Sequence, residues 1–351
     1  MTDFRKSLIR AGFETLYFSG AHVAFAPLLQ GVGAILTLHH VRPPKVSDFQ
    51  PNRLLEISPD FFVRVIELLR GIGIDIVSLD EMRRRLREGD FRRRFVCLTF
   101  DDGYRDVQEW AYPVLQRYRL PFALYIATSF HEKRGEMWWL ALEKVIANSP
   151  KITVRVDGRE RVIQCDTVAQ KYAAYQQLYW WLRQHDREDE MRAEIRDLCA
   201  RYNVDMTSIC GELCMDWENI AQLARDPLCT IGAHTVNHVM LAKVPEEAAR
   251  AEMADSRDRI EAHIGIRPAH FSYPVGGSDA AAGREYALAG KLGFATAVTT
   301  RPGVLFPEHG DGLQALPRLS LNGDFQHVRY AKVLLSGTAT ALWNGFRRIA
   351  D

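Results

Sequence analysis

The sequence predicts an α/β fold of roughly seven βα units around a parallel sheet, and two periodicities predict it. Short apolar runs recur at 34–38, 75–78, 95–100, 123–127, 230–232, 270–273 and 295–299. Between them, at 59–70, 79–88, 107–118, 246–264 and 281–292, apolar residues return every third or fourth position, which is the helical period. A chain of 351 residues has room for one large α/β domain or two smaller ones.

Residues 1–33 read as an N-terminal helical extension. They are rich in apolar side chains, but Arg10, Glu14, His22 and several glycines interrupt them. No unbroken run of ~18 apolar residues remains to span a bilayer, and no apolar core of a signal peptide precedes a cleavage site. An amphipathic helix packed on the domain is expected, with peripheral membrane contact through Phe13, Leu16, Tyr17 and Phe18 as the second reading. The body of the fold spans 34–330, with Ser58 or Asp60 able to cap the helix entered at Pro59. Within it, about 131–215 breaks the rhythm and reads as an insertion: Trp138 and Trp139, a β-like piece at 152–163, and a charged helical stretch at 167–202. Tyr179, Trp180 and Trp181 there offer either a sugar-binding face or a small core of their own. Residues 331–351 form a C-terminal helix and tail.

Composition removes some functions. Forty-five basic against 44 acidic residues give a net charge of +1, so no nucleic-acid partner is expected. Seven arginines crowd 83–94, but Glu88 and Asp90 lie among them, as on a solvated helix end. Six cysteines lack the paired spacing of a structural zinc site and read as ordinary thiols in a reducing compartment. The expected location is cytoplasmic, or peripheral at the inner face of a membrane through the N-terminal segment.

The chemistry concentrates at two strand ends. The run 95–100 leads into Asp101-Asp102-Gly103-Tyr104, two adjacent carboxylates where a buried strand meets its loop. In α/β barrels the reacting groups project from such ends. Two carboxylates at close range are not both comfortable as anions unless a cation sits between them or their surroundings differ. The run 230–232 leads into His234-Thr-Val-Asn-His238, and helical spacing of four would put both imidazoles on one face. With Asp102 they make a two-histidine, one-carboxylate set that leaves coordination positions open, as catalysis requires.

These residues resemble the polysaccharide deacetylase family, also called the NodB-homology domain or carbohydrate esterase family four. Thr99-Phe-Asp-Asp-Gly103 is similar to its first motif and His234-Thr-Val-Asn-His238 to its second. The resemblance runs from about 36 to 321 and is poorest between 131 and 215. It implies a distorted, incomplete (β/α)7 TIM-like barrel with a helical, aromatic insertion. It also implies removal of N-acetyl groups from an amino sugar in an oligosaccharide, polysaccharide or lipid-linked glycan precursor. Asp102, His234 and His238 would hold a divalent metal, zinc or else cobalt, nickel or manganese. Water activated by that metal would attack the acetamide carbonyl with Asp101 as base and the Tyr104 N–H in the oxyanion hole.

Two family features are displaced. Where the third motif has an arginine that orients the base, this chain has Ser272 in Phe271-Ser-Tyr-Pro-Val-Gly276, and Arg318 is the candidate replacement. Where the fifth motif has a histidine as acid, 319–322 has none, leaving His309, His327 or proton return by Asp101. His40, Tyr273 and Pro274 are the candidate substrate-lining residues. Alternatives to the deacetylase are an impaired sugar-binding or assembly protein that keeps the barrel, and a related metal-dependent deformylase or amidase.

Overall fold

A computed structural model describes residues 3–156 and 159–348. Small parts of three predicted segments therefore lie outside the described residues: 1–2 of the extension, 157–158 of the β-like piece and 349–351 of the tail.

Seven parallel strands close into a barrel. They are β1 (Gly33–Leu38), β3 (Phe95–Phe100), β4 (Phe122–Ile126), β5 (Cys229–Ala233), β6 (His270–Ser272), β7 (Thr296–Pro302) and β8 (Leu316–Ser320). The ring closes where β1 pairs with β3 along its whole length, from Gly33↔Phe95 to Leu38↔Phe100, and with β8 at Leu36↔Leu319. It is distorted: β5 and β6 share the single pair Ala233↔Phe271, and the β7–β8 register shifts between Val298 and Pro302.

The number of staves is as expected, but their membership is not. The run at 75–78 yields only the two-residue β2 (Asp75–Ile76), which lies beside the first half of β3. Ser78 is already the N-cap of helix Leu79–Glu88, accepting from the Glu81 N–H, so the strand has no room to continue. The seventh stave is β8, whose apolar signal is broken by Pro317 and Arg318.

Side-chain alternation along the strands divides inside from outside. Ile35, Cys97, Ala123, Tyr125, Val298 and Leu316 pack with Leu79, Met82 and Leu86, so helix Leu79–Glu88 plugs the end of the barrel where the strands begin. Ala34, Leu36, Val96, Leu98, Leu124 and Phe271 belong to the larger core under the surrounding helices. Gly232 lies opposite Tyr125, and a Cβ there would sit 2.3 Å from the Tyr125 ring.

Helices Pro59–Gly71 and Glu246–Ile264 form where predicted, the first capped by Ser58. The stretch 107–118 splits into a π turn, Val107–Ala111, and helix Tyr112–Tyr118 at Pro113, which has no N–H to continue the ladder. The stretch after 131 folds as helix Trp138–Ala147, a hairpin of Lys151–Val156 with Arg159–Gln164, and helices Val168–Gln184, Glu188–Arg201 and Met206–Leu213. The N-terminal helix Asp3–Phe18 packs through Phe13 on Phe325 and Tyr330, so Phe13 is buried in the chain itself and unavailable to a membrane.

Candidate active site

Asp101 follows β3 with its side chain turned into the barrel mouth, where it meets Arg318 from β8. The guanidinium donates to both carboxylate oxygens, Nη1 to Oδ1 at 2.8 Å and Nη2 to Oδ2 at 2.6 Å. Arg318 is itself held by the Thr299 carbonyl (2.7 Å) and the Thr99 hydroxyl (3.2 Å). Ser272 on β6 lies 3.1 Å from Nη2 and donates to Asp101 Oδ2 at 3.3 Å. Both charged groups are buried. Burial pushes the Asp101 carboxyl up, but the field and hydrogen bonds of Arg318 outweigh it and hold Asp101 below the usual carboxylate range.

Asp102 is placed differently. Its φ of 71° and that of Gly103, 65°, are both left-handed, and this turn swings the second carboxylate away from the first. Gly103 is required twice over, since a Cβ there would also sit 2.3 Å from the His131 ring. Asp102 Oδ1 faces His234 Nε2 at 3.5 Å and His238 Nε2 at 3.4 Å, and the three donor atoms lie within 4.8 Å of one another. Asp102 Oδ1 has no hydrogen-bond partner among the described residues. A buried carboxylate oxygen left bare between two imidazole nitrogens suits a cation. His234 is aimed by its Nδ1, which hydrogen-bonds the Ser272 carbonyl at 2.7 Å and leaves Nε2 inward. Burial pushes His238 down to about 3, keeping its imidazole neutral and able to donate a lone pair.

The two histidines do not share a helix face. Residues 234–238 form a loop in which Thr235 and His238 are left-handed, with φ of 65° and 53°. The Thr235 hydroxyl accepts the His238 N–H at 2.9 Å, and Glu252 accepts those of Val236 and Asn237 at 2.9 and 2.8 Å. Polar side chains replace the missing helical ladder and bring the imidazole rings to 4.9 Å.

Of the expected lining residues, His40 is buried, pairs through Nδ1 with Asp106 at 2.6 Å and stacks on the Tyr104 ring at 3.5 Å. Its ring is thus committed to Asp106 and Tyr104, and the neighbouring His39 is the histidine beside Asp101 and Asp102. His39 is partly exposed and stands in the fields of Asp102, Asp101 and Arg318, although burial is the largest influence and lowers its pKa. Tyr273 packs between Phe271 and Tyr286 and donates its hydroxyl to the Gln314 carbonyl at 2.9 Å, which places it in the outer core. Pro274 is buried in the turn after β6. His309 closes its own turn, accepting from the Phe306 N–H at 3.0 Å, and His327 caps helix Val328–Leu335, so both are committed away from the mouth. His131 was not anticipated. Its Nδ1 meets the Met215 carbonyl at 2.8 Å, and burial pushes it down to about 4.

The family model described as polysaccharide deacetylase matches residues 88–296, more than half of the chain. That match contains Asp101, Asp102, His234 and His238 but stops short of His39 and Arg318. Among solved structures, the deacetylase PplD of Streptococcus pyogenes, in complex with acetate, is 18% identical with a TM-score of 0.55, covering 83% of this chain and 92% of its own. IcaB from Ammonifex degensii is 19% identical with a TM-score of 0.53, covering 87% and 96%. A de-N-acetylase from Aggregatibacter actinomycetemcomitans is 13% identical with a TM-score of 0.53, covering 86% and 99%. No curated protein matches by sequence.

Proposed function

The chain belongs to the polysaccharide deacetylase family, a family of carbohydrate deacetylases, and from that premise we propose that it hydrolyses the N-acetyl group of an amino sugar in an oligosaccharide, polysaccharide or lipid-linked glycan. The observation that carries this reading is the opposite treatment of two adjacent carboxylates, Asp101 saturated by Arg318 and Asp102 left bare between His234 and His238.

Asp102, His234 and His238 would hold the divalent metal, with zinc the proposed ion. Such a cation lowers the pKa of water toward ~7 and polarises a carbonyl. Asp101, kept ionised, takes the proton from the attacking water. Arg318 and Ser272 fix its direction, so its remaining electron pairs meet that water without rearrangement. The Tyr104 N–H, just after the left-handed turn at Asp102 and Gly103, donates to the developing oxyanion. His39, at the mouth and in the field of both carboxylates, passes on to the leaving amine the proton that Asp101 took from water.

The test is acetate release by the zinc-reconstituted protein across free, polymeric and lipid-linked N-acetyl sugars. Release of acetate from at least one class supports the proposal. Formate release alone would move the reading to a deformylase, and no release from any class in zinc-loaded protein would move it to a binding or assembly protein.

Peripheral contact with a membrane is proposed on separate grounds. Phe18, Val23, Phe25 and Leu28 near one end of the chain and Leu342, Trp343 and Phe346 near the other are exposed, and helices formed by the two ends touch. Among the described residues no helix is long and apolar enough to cross a membrane. Co-flotation with vesicles, lost on Phe18→Ser with Trp343→Ser, is the expected outcome; failure of the wild type to float would remove the proposal.

A further inference from the structure

His234 and His238 are held in different ways. His234 is aimed by a hydrogen bond from its outer nitrogen to the Ser272 carbonyl, the usual way a metal-binding histidine is oriented. His238 has no such bond: its Nδ1 is buried and without a partner among the described residues. Its backbone is also left-handed, at φ 53°, a conformation that persists in a residue with a side chain only where surrounding contacts impose it.

Thr235 holds the His238 N–H, and the contacts on the histidine's ring and carbonyl come from the insertion and the residue just before it. The ring of Trp139 lies 4.9 Å from that of His238, and Phe130, one residue before the insertion, lies 5.6 Å away and nearly parallel. The backbone is gripped by helix Glu188–Arg201. Arg192 donates through Nη2 to the carbonyls of Asn237 at 2.9 Å and His238 at 3.3 Å. Its Nε reaches Glu188 at 3.0 Å and its Nη1 reaches Glu136 at 3.0 Å. The other oxygen of Glu188 accepts the N–H of Met240 at 3.3 Å, two residues past the histidine. Arg192 and Glu188 are buried, so this pairing is shielded from water. The fork geometry of a guanidinium is what allows one side chain to serve two carbonyls and two carboxylates at once; an ammonium cannot.

We infer that the insertion completes the metal site, with Arg192 as the positioning residue that sets the His238 backbone while Trp139 and Phe130 set its ring. The inference rests on the proposed ligand set Asp102, His234 and His238. In the sequence the insertion interrupts the barrel pattern, and in the fold it supplies what the barrel does not give to the second histidine. The orientation of His238, and through it the affinity for the ion, then depends on a segment outside the βα repeat.

The neighbouring Arg196 provides the internal control. It sits one turn along the same helix and holds the same Glu136 but makes no contact with a carbonyl of the loop. Zinc affinity is measured by competition with a chromogenic chelator on the full chain. Arg192→Met is expected to weaken zinc binding by about 10- to 100-fold, and Arg192→Lys, which keeps the charge but loses the fork, to weaken it in the same direction. Arg196→Met is expected to stay within about twofold of wild type. Turnover of Arg192→Lys at saturating zinc should return toward the wild-type value. If Arg192→Met does not fold, the comparison of Arg192→Lys with Arg196→Met decides. Wild-type zinc affinity in folded Arg192 variants overturns the inference and leaves the proposed function standing. Failure of the wild-type chain to bind zinc overturns the ligand set, and the inference with it.

Discussion

Asp101 and Asp102 are adjacent in the chain, equally buried, and opposite in their surroundings. Around Asp101 a guanidinium and a hydroxyl supply hydrogen bonds to both oxygens, and the guanidinium is in turn held by a carbonyl and a second hydroxyl. Around Asp102 the near groups are two imidazole nitrogens at 3.4 and 3.5 Å, too far for good hydrogen bonds, and Oδ1 is bare. The left-handed backbone at Asp102 and Gly103 separates the two. The contrast teaches that one strand end can carry a preset anion and a cation-seeking one together, provided the backbone turns sharply between them.

Several substitutions sharpen that contrast, in order of expected effect. Asp101→Asn removes the proposed base and leaves the proposed ligand set alone, so turnover should fall by about 10²- to 10⁴-fold with zinc content unchanged. Loss of zinc in this variant would mean that the two sides are not separable. His39→Gln should cut turnover by about 10²-fold with zinc retained, while His40→Gln, which breaks the pairing with Asp106, should lower the melting temperature more than the rate. The reverse ranking of the two histidines would return the mouth to His40.

Arg318→Met leaves a buried carboxylate without its partner, a change that costs about 3–5 kcal/mol of stability. Burial is the largest influence on Asp101, and it raises the pKa once Arg318 no longer opposes it. If Asp101 acts as the anion, as proposed, the acid limb of the pH–rate profile should move to higher pH, and zinc content should stay at the wild-type level. An unmoved acid limb would show that Arg318 does not govern Asp101. Ser272→Ala removes a hydroxyl whose contacts are 3.1 and 3.3 Å. It should cost about 0.5–1.5 kcal/mol, read as a turnover change below about tenfold.

The sequence made some of this visible and hid the rest for identifiable reasons. The proposed ligand set and base lie in contiguous motifs at strand ends, so the sequence alone brings these residues forward as candidates. Arg318, in Pro317-Arg-Leu-Ser-Leu321, is a candidate from the sequence, and its bidentate contact with Asp101 is what the geometry adds. His40 and Tyr273 share one cause, a shift of one position along a strand. The inward alternation Ile35 and Thr37 leads to His39, not His40, and the inward His270 leads to Ser272, not Tyr273. Strand parity in the sequence held that signal. The loop between His234 and His238 looked helical because spacing alone cannot separate a helix face from a turn held by Glu252. The role of Arg192 was hidden because its contacts join residues more than 40 positions apart and follow no periodicity.

In the proposed mechanism Asp102, with His234 and His238, holds a metal on which deacetylation depends while Asp101 stands beside it on Arg318. The most direct measurement is zinc stoichiometry together with acetate release, on wild type and on Asp102→Ala, using N-acetylated oligosaccharides and lipid-linked N-acetyl sugars. One zinc per chain with acetate release is expected in the wild type, and loss of both in the variant. Undiminished acetate release by Asp102→Ala free of zinc would contradict it.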